Sequence, residues 1–272
     1  MPLKLMYITN RREIAKAAEK SGVDIIFVDL EIRGKEKRQS GRSTVISGHS
    51  RQDVRIMRQT LENARLLVRV NPLHEGSAEE IGGVLEDGAD ILMLPFFMDA
   101  RQVEAFIGHV GGRAKTCLLF ETSGAVANMD EILSLKGIDC IHIGLNDLHI
   151  CYGMKFMFQL LADGTVDKLC NKFRDKGIPY GFGGIAGLGQ GKLPAENIIA
   201  EHYRLGSDMA ILSRSFCNPE LTSGIREIEN IFSLGVARIR EYESSLAGKG
   251  PLFFEENRKE IIRKVEEIVS LI

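Results

Sequence analysis

Charged residues stand at the ends of apolar runs, and their types suggest where chemistry is done. Glu121 closes the run Cys117-Leu118-Leu119-Phe120, and Asp147 follows the run Ile141–Leu145. Two carboxylates on the ends of neighbouring parallel strands can share one cation, and oxygen-only ligation suits Mg²⁺ or Mn²⁺. Both residues could instead be helix N-caps, so spacing alone leaves two readings open. Arg69 lies inside Leu66-Leu67-Val68-Arg69-Val70-Asn71. A guanidinium in such a strand must find an anion or reach solvent, because burying it unpaired is costly. Glu31 and Glu121 are the partners expected for it.

Further polar groups collect after the second apolar run. Asp29, Glu31 and Arg33 follow it directly, and from Arg33 to Arg51 the cations Arg33, Lys35, Lys37, Arg38, Arg42 and Arg51, with His49, face a single acid, Glu36. A long connection with no pattern of its own inside a compact domain is usually a lid or binding loop. We expect it to recognise an anionic substrate, carboxylated or phosphorylated, with His49 as a mobile acid or base. The lack of interleaved aromatics argues against nucleic acid. A glycine run, Gly181 to Gly191, can cradle an anion through backbone N–H groups or can simply be a flexible loop. His142 lies in an apolar run and reads as a satisfied core residue. His149, two residues past Asp147, is a further candidate acid or base.

Eight elements must position these groups. Apolar, β-branched runs occur at 3–8, 24–30, 66–71, 90–95, 115–121, 138–144, 179–184 and 208–213. Near-continuous hydrophobicity, as in Ile25-Ile26-Phe27-Val28, is expected of strands buried on both faces. Amphipathic stretches alternate with them at 12–20, 53–63, 78–86, 100–110, 129–135, 158–176, 195–203 and 220–244. Glycine marks several helix-to-strand joints, as in Ser21-Gly22-Val23-Asp24 and Asp87-Gly88-Ala89-Asp90, where a left-handed cap ends a helix. The alternation predicts an α/β fold, a (β/α)8 TIM barrel over residues 1–245. A doubly wound open sheet is the runner-up. In a barrel the site belongs at the C-terminal ends of the strands, where the polar groups above fall. Residues 246–272 form a C-terminal helical extension. Its stripe Ile261, Val265, Ile268 and Ile272 must be buried, by preference in an oligomer contact or else on its own barrel.

Composition narrows the class. The chain has 272 residues, 35 Lys+Arg against 37 Asp+Glu, and a net charge of -2. That near-balance fits neither a dedicated nucleic-acid binder nor a disordered chain. No apolar run reaches the ~18 residues of a spanning helix, and the N-terminus lacks a secretory signal, so a cytoplasmic protein with no membrane partner is expected. The cysteines (117, 140, 151, 170 and 217) are odd in number and form no C-x-x-C, so buried free thiols are expected.

Several strand-end motifs, taken together, resemble one family. Val28-Asp29-Leu30-Glu31, Val68-Arg69-Val70-Asn71, Gly88-Ala89-Asp90 through Pro95, Phe120-Glu121-Thr122, and Ile143-Gly144-Leu145-Asn146-Asp147-Leu148 are similar, over residues 24 to about 155, to the HpcH/HpaI aldolase and citrate lyase β-subunit family of phosphoenolpyruvate/pyruvate-domain barrels. The resemblance implies a divalent metal, Mg²⁺ or Mn²⁺, held by Glu121 and Asp147. It implies that Arg69 stabilises an enolate oxygen, and that backbone around Gly144, Leu145 and Asn146 positions the substrate. A homo-oligomer, trimer or hexamer, is also implied. The chain departs from the family at the base: pyruvate aldolases carry His directly after the strand-2 Glu, and the citrate lyase branch carries Asp. Here Ile32 and Arg33 follow Glu31, leaving Glu31, His49 and His149 as candidates and Arg33 as a substrate contact.

These expectations amount to a metal-dependent carbon–carbon lyase or aldolase acting through an enolate. Its substrate would be an anionic, pyruvate-like oxo-acid or a related phosphorylated or acyl-CoA compound. The alternative is a catalytically inactive barrel that binds a small anionic metabolite. A polyanion-binding role for the basic segment is a third reading.

Overall fold

The computed structural model describes residues 2–34, 48–222 and 224–272. The apolar runs form β1 (Lys4–Ile8), β2 (Ile25–Asp29), β3 (Arg65–Arg69), β4 (Ile91–Leu94), β5 (Lys115–Phe120), β6 (Cys140–Ile143), β7 (Tyr180–Ile185) and β8 (Met209–Leu212). All neighbours pair in parallel, and β1 pairs with β8, which closes the barrel and excludes the open sheet. Around it lie α1 (Arg12–Lys20), α2 (Arg51–Thr60), α3 (Ser77–Glu86), α4 (Ala100–Val110), α5 (Ser123–Ala127), α6 (Met129–Ile132), α7 (Leu145–Cys151), α8 (Gln159–Ala162), α9 (Thr165–Asp175), α10 (Ala195–Leu205), α11 (Ile225–Leu246) and α12 (Pro251–Ser270). The single helix expected over 158–176 is split, because Gly164 adopts a left-handed φ of 80° between α8 and α9.

Side chains from alternate strands fill the barrel in layers. From the N-terminal end, Lys4, Arg65, Lys115 and Pro179 come first, then Ile25, Ile91, Cys140 and Met209. Above these lie Met6, Leu67 and Cys117, then Phe27, Met93, His142 and Ile211. Arg69 tops the stack, with its guanidinium carbon 5.6 Å from the Phe27 ring centroid.

The glycine joints have a common structural role. Four of them read Gly-x-Asp: 22–24, 88–90, 137–139 and 206–208. Each glycine has positive φ, and each Asp accepts the N–H of the preceding strand: Leu5, Leu66, Thr116 and Tyr180, at 2.8, 2.7, 2.8 and 3.2 Å. Every second strand start is thereby tied to its neighbour around the N-terminal rim.

The C-terminal stripe is covered within the chain at its first half only, with Ile268 half-buried and Ile272 exposed. α12 packs on α8 and α10, and Ile261 and Val265 are buried there. Asn257 donates to the Asn197 carbonyl and to Glu201 Oε1, both at 3.1 Å. No described helix is long and apolar enough to cross a membrane. Four cysteines are buried free thiols, and Cys151 is exposed at the end of α7.

Candidate active site

The C-terminal mouth of the barrel gathers most of the residues singled out above. β2 and β3 run in register with Asp29 opposite Arg69. The Arg69 guanidinium donates Nε to Asp29 Oδ1 and Nη2 to Asp29 Oδ2, each at 2.8 Å, and its Nη1 lies 3.4 Å from Glu31 Oε2. Asp29 is thus the principal partner, where Glu31 or Glu121 was expected. The reason is the strand period, since residues directly opposite on adjacent strands share one face. Burial opposes the charge on Arg69, but Asp29, Glu31 and Glu121 hold its pKa well above the ordinary value. The result is a fixed, permanent cation at the mouth.

Glu121 follows β5 and is only 2 % exposed. Its Oε1 accepts the Phe96 N–H at 3.0 Å, and Phe96 is the one non-glycine residue with positive φ (49°) among those described. Such a conformation is uncommon and persists where surrounding structure imposes it. Glu121 is not a helix cap: Thr122 caps α5 by accepting the Ala125 N–H at 3.0 Å. Nor is Asp147, since Gly144 occupies the cap of α7 and Asp147 lies in its first turn. Burial pushes the Glu121 carboxyl well above the usual range; Arg69 opposes this, while Asp147 and Glu31 add to it.

Gly144 makes the approach of these groups possible. A Cβ there would stand 2.7 Å from Glu121 Cβ and 2.8 Å from its Oε2. Leu145 is buried behind it, and Asn146 and Asp147 are half-buried. His49 returns from the far end of the basic segment to β2, where its Nδ1 accepts the Asp29 N–H at 3.0 Å. In the neutral ring the proton is therefore on Nε2. Arg33, by contrast, is exposed; its N–H and that of Ile32 both donate to Asn71 Oδ1 at 3.0 Å. Lys35, Lys37, Arg38 and Arg42 lie outside the described residues, and Arg51 is engaged by Asp87 at 2.7 Å. His149 is half-buried, with Nδ1 3.2 Å from the Leu145 carbonyl on its own helix.

The glycine run begins inside β7, with Gly181, Gly183 and Gly184 at a register irregularity in the strand. One expectation is corrected. His142 is only half satisfied: Nε2–H donates to the Gly183 carbonyl at 3.1 Å, while buried Nδ1 has no hydrogen-bond partner among the described residues. Burial lowers its pKa to about 4, so the ring is neutral at neutral pH. Its strand parity, two residues before Gly144, was the available signal that it faces the barrel interior.

The donor set suits a hard divalent cation. Four carboxyl groups (Asp29, Glu31, Glu121 and Asp147) share the mouth with one guanidinium. Among the described residues no three His, Cys, Asp or Glu side chains are grouped as a complete cage. Two carboxylates with the remaining positions open are typical of Mg²⁺, which keeps several waters, and unlike a structural zinc site.

Comparison with known proteins agrees with this fold. The model of the HpcH/HpaI aldolase/citrate lyase family matches residues 4–156, more than half the chain. The chain belongs to the HpcH/HpaI aldolase/citrate lyase family. A crystal structure of a HpcH/HpaI aldolase/citrate lyase family protein from Burkholderia cenocepacia J2315 shares the fold, with a TM-score of 0.62 and 14% identity over 78% of this chain and 88% of that one. No curated protein matches the sequence. Members of this family are generally lyases.

Proposed function

We propose that the protein is a divalent-metal-dependent carbon–carbon lyase or aldolase acting on an anionic oxo-acid or a related phosphorylated or acyl-CoA compound. The observation that carries this reading is the pairing of a clamped Arg69 with an excess of buried carboxylates at one barrel mouth. Glu121 and Asp147 would hold Mg²⁺ or Mn²⁺, which when bound supplies a Lewis acid for the substrate's carboxylate and keto oxygens.

The chain's own residues account for the rest. As the carbon–carbon bond breaks, its electron pair moves toward the carbonyl and negative charge grows on that oxygen. Arg69, already oriented by two bonds to Asp29, meets this charge without reorganising, which is where electrostatic stabilisation is most effective. Glu31 accepts the hydroxyl proton released on the departing fragment, and His49 Nε2–H donates a hydrogen bond at the rim. Gly144 and the backbone of Leu145 and Asn146 hold the substrate carboxylate end, and Arg33 borders the entrance.

The inactive-binder reading rested on the missing family base at positions 32 and 33. The structure brings His49 to the end of the same strand from the other side of the loop, which favours an enzyme. The test is Mn²⁺ titration calorimetry on wild type, Glu121→Ala and Asp147→Ala, with circular dichroism to check the fold. Both variants should fold and lose the metal; retained affinity in both would remove the assignment.

A further inference from the structure

We propose that the N-terminal mouth of the barrel, opposite the candidate active site, is a second binding site, for a small polyanion of the phosphate-ester class. A cavity of about 420 Å³ opens there, a size within the range of small-molecule sites. Its floor is the apolar layer Ile25, Ile91, Cys140 and Met209, and none of the catalytic candidates line it.

The rim layer above that floor is unusual. A barrel layer is ordinarily filled by branched apolar residues. Here three of its four positions are cations, Lys4 on β1, Arg65 on β3 and Lys115 on β5, each the first residue of its strand. Like charges brought to one mouth repel and leave the barrel end unfilled, and an anion answers both. Among the described residues, none of the three has a carboxylate within salt-bridge distance.

Three acids, Glu19, Asp24 and Asp139, line the same cavity, but their oxygens are turned to other donors and none forms an ion pair with the three cations. Glu19 Oε1 accepts the N–H groups of Glu62, Asn63 and Ala64 at 3.0, 2.7 and 2.7 Å. Asp24 Oδ2 accepts the Leu5 N–H and pairs with Arg240 at 3.2 Å. Asp139 Oδ2 accepts the Thr116 N–H at 2.8 Å. Three donors on three strands around an apolar floor select a ligand with more than one negative charge and a compact body.

Inorganic pyrophosphate, at constant ionic strength and with a metal chelator present, is the probe. Calorimetric titration of wild type should show saturable binding, weakened about tenfold or more by Arg65→Gln and by Lys115→Gln. Lys115→Arg should retain it, and Glu121→Gln at the other mouth should leave it unchanged. All three rim cations are exposed, so these variants should fold as wild type. No binding at millimolar pyrophosphate, or binding lost in Glu121→Gln but not in Arg65→Gln and Lys115→Gln, would overturn the proposal.

Discussion

Arg69 and Asp29 form a buried pair whose value lies in geometry more than in stability. Replacing a bidentate guanidinium by an ammonium keeps the charge but loses the fork. Arg69→Lys should therefore fold normally yet slow metal-dependent proton exchange of an enolisable ligand by about a hundredfold, in line with loss of one well-aimed oxyanion donor. Removing the acid instead strands a buried cation. Asp29→Ala should cost about 3–5 kcal/mol in urea denaturation, the usual result of breaking a buried pair from one side. Gly144→Ala offers a separate test, because its new Cβ would collide with Glu121, at 2.7 Å from Cβ. Its Mn²⁺ affinity should fall while its unfolding free energy drops by only about 1–3 kcal/mol. Equal affinity in wild type and Gly144→Ala would show that Glu121 is not held where the metal binds. Much at this scale was legible beforehand: Glu121, Asp147, Arg69 and Glu31 stood out as charges ending apolar runs. The Asp29 pairing was not, since it depends on strand register, and neither was the return of His49 across a segment with no pattern.

At the scale of elements, strands were easily read because burial on both faces leaves an uninterrupted apolar run of few residues. Helices after β5 and β6 were harder. The stretch read after β5 began only at 129 and missed α5, and the stretch 158–176 was read straight through Gly164, where the chain breaks into short pieces. The Gly-x-Asp joints looked alike in sequence, but their common purpose lies in hydrogen bonds between strands. Each Asp satisfies a strand-edge N–H that parallel pairing leaves open at the barrel end. Asp90→Ala, which loses bonds to the Leu66 N–H at 2.7 Å and to Arg58 at 2.8 Å, should lower stability by about 1–3 kcal/mol. Asp90→Asn should recover part of that, since it keeps an acceptor. A full loss in Asp90→Asn would mean that the ion pair, not the rim bond, is what matters.

At the scale of the whole molecule, two buried histidines make the fold sensitive to acid. Burial lowers His142 to about 4 and His202 to about 3, and His202 stacks on Phe182 at 3.8 Å. Both folded values lie below the ordinary histidine value of 6.5. The unfolded chain therefore binds more protons as pH falls, so stability is intact above about 6.5 and is lost progressively toward pH 4. Urea midpoints should fall across that window, and less steeply in His202→Gln. An equal slope in wild type and His202→Gln would contradict this account. The barrel's closure was legible only as a count of eight alternations, whereas the candidate site assembles parts from four strands, β2, β3, β5 and β6, and a returning loop. That assembly is tested most directly by following the methyl protons of pyruvate by NMR in D₂O, with and without Mg²⁺. Enolate chemistry at this mouth predicts exchange that requires the metal and disappears in Asp147→Ala. No exchange in wild type with pyruvate or oxaloacetate, under conditions where metal binding is measured, would contradict it.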